Sequence, residues 1–241
     1  MMDGGTTTDS YASGDVSGLA FVGGLIGYTQ QDVVIADSYS TGDVSGDANY
    51  VGGLVGIAHD TTVTTAYTTG DVSGTGFTTG GLVSYAVNVT ITDSYTTGEV
   101  SGGSFVGGLA GIVHNTNFTN SYSTGAISGG YGVAGLAAGL FNNSTVTGSY
   151  AAGDVSGDYR VGGLVGDAHN TTVTNSSSTG NIYGNDDVGG LIGYVNNSTI
   201  TDSYVSGNTS GTDHIGGLVG RAHITKPVSY THLTLPTKRI V

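Results

Sequence analysis

The stretch Val-Gly-Gly-Leu-Val-Gly at residues 51–56 decides the fold, because the chain carries it eight times in identical or near-identical copies. Successive copies start 27 to 29 residues apart, at Val22, Val51, Thr79, Val106, Val133, Val161, Val188 and Ile215. A period of this size indicates one supersecondary unit stacked on copies of itself. The sequence therefore predicts a repeat array built from eight equivalent units.

A second phrase runs in phase with the first and shows which positions the unit cannot vary. It reads Asp-Ser-Tyr-Ser-Thr-Gly-Asp-Val-Ser-Gly at residues 37–46, and its Tyr recurs in every copy except the one that has Ser177. Glycine is invariant before the repeated Leu, in Thr-Gly-Asp and in Val-Ser-Gly. An invariant glycine marks either a positive φ or a backbone packed too closely for a Cβ. The Leu is also invariant, at Leu25, Leu54, Leu82, Leu109, Leu136, Leu164, Leu191 and Leu218.

Residue types identify the unit as a β-coil. Segments such as Thr61–Thr64 alternate with period two and are β-branched, and no long stretch shows a glycine-free helical stripe. We therefore predict an all-β parallel β-solenoid, or β-helix, of about eight coils with 27–29 residues per coil, each with three short strands and three turns. Stacking at ~4.8 Å gives a rod of roughly 40 Å. Leu54, Val63 and Val72 should point inward, with Val51 joining them at a bend.

Charge and composition narrow the functional classes. The chain has 18 acidic residues against 5 Lys and Arg, a net charge of −13, 45 Gly and no Cys. The lack of a basic stripe disfavours nucleic-acid binding. An acidic, glycine-rich chain with almost no Lys suits a secreted protein in salty water, where screening weakens self-repulsion. No apolar run is long enough to span a membrane. We expect an extracellular or cell-surface location, with the export signal outside this sequence.

The repeat stops near the C-terminus. From Pro227 to Val241 the sequence loses the repeat phase, and Val228–Thr237 resembles the translation of a transposase mosaic-end adapter used in sequencing-library preparation. We therefore predict two parts: a repeat array over residues 1–226 and a non-native tail over 227–241. In this interpretation the array is a metagenomic fragment whose partners include the rest of its parent polypeptide.

The Gly-Leu-Val-Gly and Ser-Tyr-Ser-Thr-Gly-Asp-Val-Ser-Gly phrases resemble the GLUG motif over residues 6–224. The resemblance implies a repeat of large bacterial and archaeal secreted or surface proteins, many of them adhesin-like, with no catalytic residues to transfer. Two copies depart from the pattern, since Ser84 and Ala138 replace the last Gly. We expect local irregularity there.

Threonine ranks are the first candidate binding surface. A Thr-x-Thr pair recurs with Val or Ile between its members, so both hydroxyls should lie on the outer face of one strand. Such an array resembles the ordered faces of ice-binding solenoids and could also bind carbohydrate, although Thr is simply a good strand residue. Asn117, Val34 and Ala36 interrupt the ranks. The candidate residues are Thr62, Thr64, Thr90, Thr92, Thr145, Thr147, Thr172, Thr174, Thr199 and Thr201.

Acidic residues that follow the invariant Gly of the Thr-Gly-Asp phrase form a second rank. Carboxylates stacked one coil apart repel each other unless cations intervene, which makes a Ca²⁺ site one interpretation. The other is that each Asp is a turn residue that bonds backbone nearby. We favour the second and expect no cofactor. The candidate metal-binding residues are Asp15, Asp43, Asp71, Glu99 and Asp154.

Catalysis finds little support in the sequence. The histidines His59, His114, His169 and His223 share one position in alternate units, so we expect loop histidines too far apart to share a metal ion. Arg160 and Arg221 have no evident partners. We predict a non-catalytic structural or adhesive region that binds a glycan or protein. The alternatives are an ice- or carbohydrate-binding threonine face and a polysaccharide-degrading β-helix enzyme with paired carboxylates.

Overall fold

The computed structural model describes residues 1–47 and 49–223, and every regular element in these ranges is a β-strand. Within them no helix is long and apolar enough to cross a membrane. The predicted tail at residues 227–241 lies outside the described residues, so the division at residue 226 stays a prediction.

The strands are short and follow one another with few residues between them. The first half of the chain contains β1 (Met2–Thr8), β2 (Tyr11–Ala12), β3 (Val16–Gly18), β4 (Phe21–Gly23), β5 (Ile26–Ala36), β6 (Tyr39–Ser40), β7 (Val44–Gly46), β8 (Tyr50–Gly52), β9 (Val55–Thr64), β10 (Tyr67–Thr68), β11 (Val72–Gly74), β12 (Thr78–Gly80), β13 (Val83–Thr92), β14 (Tyr95–Thr96), β15 (Val100–Gly102), β16 (Ser104–Gly107), β17 (Ala110–His114) and β18 (Asn117–Thr119). The second half contains β19 (Tyr122–Ser123), β20 (Ile127–Ser128), β21 (Tyr131–Ala134), β22 (Ala137–Phe141), β23 (Thr145–Thr147), β24 (Tyr150–Ala151), β25 (Val155–Ser156), β26 (Tyr159–Gly162), β27 (Val165–His169), β28 (Thr172–Thr174), β29 (Ser177–Ser178), β30 (Ile182–Tyr183), β31 (Asp186–Gly189), β32 (Ile192–Asn196), β33 (Thr199–Thr201), β34 (Tyr204–Val205), β35 (Thr209–Ser210), β36 (Asp213–Gly216) and β37 (Val219–His223).

Four parallel sheets run along the coil axis, each made of equivalent strands from successive coils. In chain order within a coil, sheet 1 runs from β2 to β34, sheet 2 from β3 to β35 and sheet 3 from β4 to β36, with eight strands each. Sheet 4 has thirteen strands and includes β1, β5, β9, β13 and all later strands of that side. The predicted all-β parallel solenoid of about eight coils is confirmed.

The prediction of three strands per coil is wrong. The coil that starts at β19 contains five strands, β19 to β23, and only in β5, β9 and β13 do the two strands of sheet 4 join into one. Residues with positive φ lie at these interruptions, such as Asn115 at 48° between β17 and β18. Positive φ alone does not break a strand, because the equivalent Asp60 and Asn88 lie inside the continuous β9 and β13. These residue types tolerate the left-handed region better than other non-glycine residues.

Register is even along most of the array. Pairing continues through the unit with Ser84 without a shift, so the irregularity predicted there is absent. In the unit with Ala138 the pairing shifts by one residue between β22 and β23, where Asn142 and Asn143 both have positive φ. A further shift lies in β5, between Thr29 and Val33, where Gln31 and Asp32 both have positive φ. This bulge accommodates the longest step between copies.

The interior is divided into two apolar cores. The invariant leucines of the central coils, such as Leu54, are fully buried in the larger core together with Val63. Val51 and Val72 are also buried, but they belong to a second core between sheets 2 and 3. The predicted inward orientation of all four residues is therefore confirmed, but the four residues do not share one core.

Close backbone packing explains the invariant glycines. None of those described has a positive φ. A Cβ on Gly53 would lie 2.0 Å from the carbonyl oxygen of Gly81 in the next coil, and a Cβ on Gly98 would lie 2.1 Å from that of Gly70. Real Cβ atoms do not approach so closely, so stacking itself requires glycine.

Stacked tyrosines run along sheet 1. Neighbouring rings lie 4.7–5.2 Å apart between centroids and within 3–9° of parallel. Each inner ring therefore has both faces covered and shows mainly its edge to solvent. We call this row the tyrosine stack; it comprises Tyr11, Tyr39, Tyr67, Tyr95, Tyr122 and Tyr150.

Candidate functional site: outer ranks and a charged corner

The threonine pairs lie where the sequence predicts them. In every pair the residue between the threonines is buried, while the threonines are exposed or half-buried. Strand pairing brings the pairs into two ranks on sheet 4, and the first rank includes Val34 and Asn117. Some hydroxyls bond within the ranks, since Thr145 donates to Asn117 Oδ1 at 2.8 Å and Thr201 to Thr174 at 3.2 Å. The ranks combine exposed hydroxyls with hydroxyls already engaged by a neighbour.

The acidic rank is bonded to the backbone of the next coil. Asp15, Asp43, Asp71 and Asp154 each accept a hydrogen bond from the backbone N–H of the equivalent residue one coil further on, at 2.7–3.0 Å. Glu99 provides the N–H that bonds Asp71. All five side chains are exposed. These bonds support a role in coil stacking, and the Ca²⁺ site stays a prediction.

Aromatic and histidine side chains form a rank that the sequence analysis missed. Its rings lie on the outer face of sheet 4, at 5.3–6.2 Å between neighbouring centroids and tilted by 25–54°. Unlike the tyrosine stack, these tilted rings leave part of their faces open. The histidines lie in strands, so their prediction as loop residues is wrong. We call this the aromatic–histidine rank: Tyr28, His59, Tyr85, His114, Phe141, His169 and Tyr194.

Beside the C-terminal end of this rank, Arg160 joins sheet 3 to sheet 4. Its guanidinium forms an ion pair with the carboxylate of Asp167, which is 2% exposed. His169 Nε2 lies 2.8 Å from the other oxygen of Asp167. The guanidinium also lies over the rings of Tyr131 and Tyr194, at 5.2 and 4.4 Å from their centroids. The prediction that Arg160 lacks partners is therefore wrong.

One coil further on, Asp186, Asp187 and His214 come together with Arg221. His214 Nδ1 lies 2.6 Å from Asp186 Oδ1 and 3.4 Å from Asp187 Oδ1, and Arg221 Nη1 lies 3.8 Å from Asp187 Oδ1. Arg221 thus also has a carboxylate neighbour, contrary to the prediction. The ligand-type atoms of the two aspartates and His214 all lie within 4.8 Å of one another.

The electrostatics of these groups follow from burial and from hydrogen bonding. The hydrogen bond to His214 lowers the pKa of Asp186 below its usual value, and the same bond raises the pKa of His214. Burial, and then the neighbouring Asp186 charge, raise the pKa of Asp187. The pKa values of the two adjacent aspartates are therefore shifted in opposite directions.

A repeated backbone feature aims these side chains at the corner. Phe105, Arg160, Asp187 and His214 occupy equivalent positions before the repeated Val or Ile, with φ between 44° and 52°, and Gly132 occupies the fifth at 63°. Phe, Arg and His rarely adopt this region, which costs roughly 1–2 kcal/mol per residue. We call the surroundings of Arg160, Asp167, Asp187, His214 and Arg221 the charged corner.

Comparison with known families agrees with this architecture. The GLUG motif matches residues 157–183 and 184–210, two adjacent coils of the solenoid. These two coils are GLUG repeats. Neither the curated proteins nor the solved structures that were searched contain a match to it. The matched GLUG repeats include Arg160, Asp167, Asp186 and Asp187, so the charged corner is built largely on motif-bearing coils.

The sequence itself carries a signal for the charged corner. At equivalent positions the other coils have apolar, aromatic or small residues, such as Ile112 and Gly139 in the rank of Asp167. Both arginines of the described residues lie in this corner. The signal therefore consists of residues that depart from the repeat and lie close together in the structure. It is missed when only the repeated positions are compared.

Proposed function

We propose that this solenoid is a non-catalytic structural and adhesive region of a secreted or cell-surface protein. The observation that supports it most is the repeated cohesion between coils: the buried leucines, the tyrosine stack and the acidic rank make equivalent contacts in most coils. Such an array presents equivalent outer positions at regular intervals. In this role it displays binding groups on a stiff support.

The aromatic–histidine rank is the surface best suited to a ligand, and a glycan is the class that fits it. Half-exposed rings offer flat apolar faces to the C–H groups of a sugar, while imidazole and phenol groups supply hydrogen bonds. The net charge of −13 disfavours polyanionic ligands. A neutral or cationic glycan therefore suits this surface.

Adhesion assays with repeat-matched variants test the proposal. Tyr85→Ile and Tyr194→Ile should lower retention of protein-coated beads on glycan surfaces, and Ile57 and Ile112 already occupy equivalent positions, so the fold should be kept. The control variant, Thr90→Val with Thr172→Val, places Val where Val34 stands in the same rank. If bead retention is unchanged in the tyrosine variants but lost in the threonine variant, the proposal that the aromatic–histidine rank binds the glycan is contradicted.

The threonine ranks support a second candidate, ordered-water or ice binding. The observation that favours it is the in-register exposure of Thr62, Thr90, Thr172 and Thr199 on the outer face of sheet 4. Replacing Thr62, Thr90, Thr145 and Thr172 with Lys should abolish inhibition of ice recrystallisation if this candidate is right. Absence of such inhibition in the unmodified protein would rule it out.

The non-catalytic part of the proposal rests on the state of the buried carboxylates. Asp167 forms an ion pair with Arg160, so its carboxylate is already engaged by a neighbouring side chain. We expect no depolymerisation when the protein is incubated with a panel of polysaccharides. Release of reducing ends that Asp167→Asn abolishes would instead support a glycosidase or lyase.

A further inference from the structure

We propose that Asp186, Asp187 and His214 form a binding site for one divalent transition-metal ion of the Zn²⁺ type, a role that goes beyond the structural and adhesive function. The three residues come from two adjacent coils, and each offers one ligand atom to a common point. They do not belong to the acidic rank, whose carboxylates bond the backbone of the next coil.

An unpartnered buried oxygen points to a missing cation. Asp187 is only 6% exposed, and its Oδ1 has no hydrogen-bond partner. This oxygen faces the cluster, at 3.4 Å from His214 Nδ1 and 3.8 Å from Arg221 Nη1. A buried carboxylate oxygen without a close donor is costly, and a bound cation would offset that cost directly.

The spacing of the ligand atoms suits a small ion. Metal–ligand bonds of about 2.0–2.2 Å separate adjacent ligand atoms by roughly 2.8–3.6 Å in octahedral or tetrahedral sites. The 3.4 Å between His214 Nδ1 and Asp187 Oδ1 already fits this spacing. The 2.6 Å between His214 Nδ1 and Asp186 Oδ1 must widen slightly, which the exposed His214 side chain allows.

Ligand chemistry selects the class of ion. Ca²⁺ and Mg²⁺ prefer an all-oxygen shell of six or more ligands, whereas one imidazole nitrogen with two carboxylates suits Zn²⁺ and similar ions. Because His214 is exposed, solvent can supply the remaining ligands. We therefore expect Zn²⁺ to bind and an equal concentration of Ca²⁺ not to displace it.

Arg221 provides a test that distinguishes a metal site from an ion-pair cluster. Its positive charge lies 3.8 Å from the ligand oxygen of Asp187 and competes with an incoming cation. About half of its side chain is exposed, at 53%, so it can move aside. Removing this charge should raise the affinity for the metal ion, whereas it would only weaken a simple ion-pair cluster.

Calorimetric titration of the full chain with Zn²⁺ tests the site. We expect one saturable site, weakened by roughly 100-fold in Asp187→Asn and in His214→Gln, the upper end of what loss of even an indirect metal contact costs. Arg221→Gln should bind more tightly than the unmodified protein. Circular dichroism of each variant shows whether the fold is intact.

Two control variants separate this site from other histidines and carboxylates. Asp154→Asn copies the Asn181 found in the same rank, and His59→Asn copies Asn196, so both should leave Zn²⁺ affinity unchanged. Absence of saturable binding in the unmodified protein overturns the proposal. The proposal is also overturned if folded Asp187→Asn and His214→Gln bind Zn²⁺ as tightly as the unmodified protein, because the ion is then bound elsewhere. The same conclusion follows if Arg221→Gln binds Zn²⁺ no more tightly than the unmodified protein.

Discussion

At the scale of single residues, glycine is required by neighbouring coils more than by its own conformation. Gly98 and Gly14 occupy the same repeat position, but they differ in what surrounds them. A Cβ on Gly98 would lie 2.1 Å from the Gly70 carbonyl oxygen, whereas a Cβ on Gly14 would meet nothing within 4 Å. The same residue type is thus essential inside the array and optional at its first coil.

We therefore predict that Gly98→Ala lowers the free energy of unfolding by about 3 kcal/mol, because the backbone of an adjacent coil must move to admit the methyl group. Gly14→Ala is the matched control and should change it by less than about 0.5 kcal/mol. Urea denaturation followed by circular dichroism measures both. Equal effects of the two substitutions would show that stacking does not impose this glycine.

His114 links the aromatic–histidine rank to pH. Burial lowers the pKa of His114, and Asn142 Nδ2 lies 3.0 Å from its Nδ1, where a neutral ring accepts the amide hydrogen. The unfolded chain therefore binds a proton at His114 more readily than the folded protein does. The stability linked to this residue is complete above the unfolded pKa of about 6.5 and is lost as the pH falls below it.

The expected result is a smaller acid-induced loss of stability in His114→Phe than in the unmodified protein. Phe141 pairs with His114 in the next coil, so the substitution is compatible with the repeat. Urea midpoints at pH 7.5 and pH 5.5 provide the measurement. If both proteins lose the same stability over this interval, His114 does not carry this dependence.

At the scale of elements, the tyrosine stack on sheet 1 has one natural interruption. Ser177 pairs with Tyr150 on one side and Tyr204 on the other, so the row of rings breaks there. An aromatic pair contributes about 0.5–1.5 kcal/mol beyond its buried area. The protein therefore lacks the stabilisation that a ring at this position would contribute.

Filling the gap should stabilise the protein. We expect Ser177→Tyr to raise the melting temperature by about 3 °C, the shift that roughly 1 kcal/mol gives in a chain of this size. Tyr95→Ser, which opens a gap inside the continuous row, should lower it. Differential scanning calorimetry compares the two, and a decrease in Ser177→Tyr would mean that the stack does not tolerate a ring at this coil.

The sequence predicts the residues that recur from copy to copy and misses those that do not recur. The positions of Leu54, Val63 and the threonine ranks follow from the period and from the alternation of residues, because each coil must make the same stacking contacts. The charged corner does not follow, since Asp186 and His214 lie on adjacent coils at positions one residue out of register. The division of a coil into five strands does not follow either, because equivalent positive-φ residues lie inside continuous strands at Asp60 and Asn88 but between strands at Asn115.

At the scale of the whole molecule, one sequence repeat equals one coil. The outward residues of sheet 2 show this most simply, because Ser17 pairs with Ser45 and the same position continues coil by coil to Ser210. Each step should advance the chain by about 4.8 Å along the axis. Stiffness and length then follow from the number of repeats alone.

Distances between spin labels along sheet 2 test this claim most directly, and the absence of native cysteine allows labels at chosen cysteine pairs. Ser128, Ser156 and Ser210 are exposed positions four, five and seven coils from Ser17. Double electron–electron resonance should give about 19, 24 and 34 Å for the three pairs, a constant step of ~4.8 Å per coil. Distances that do not increase by a constant step per coil would contradict the stacked solenoid.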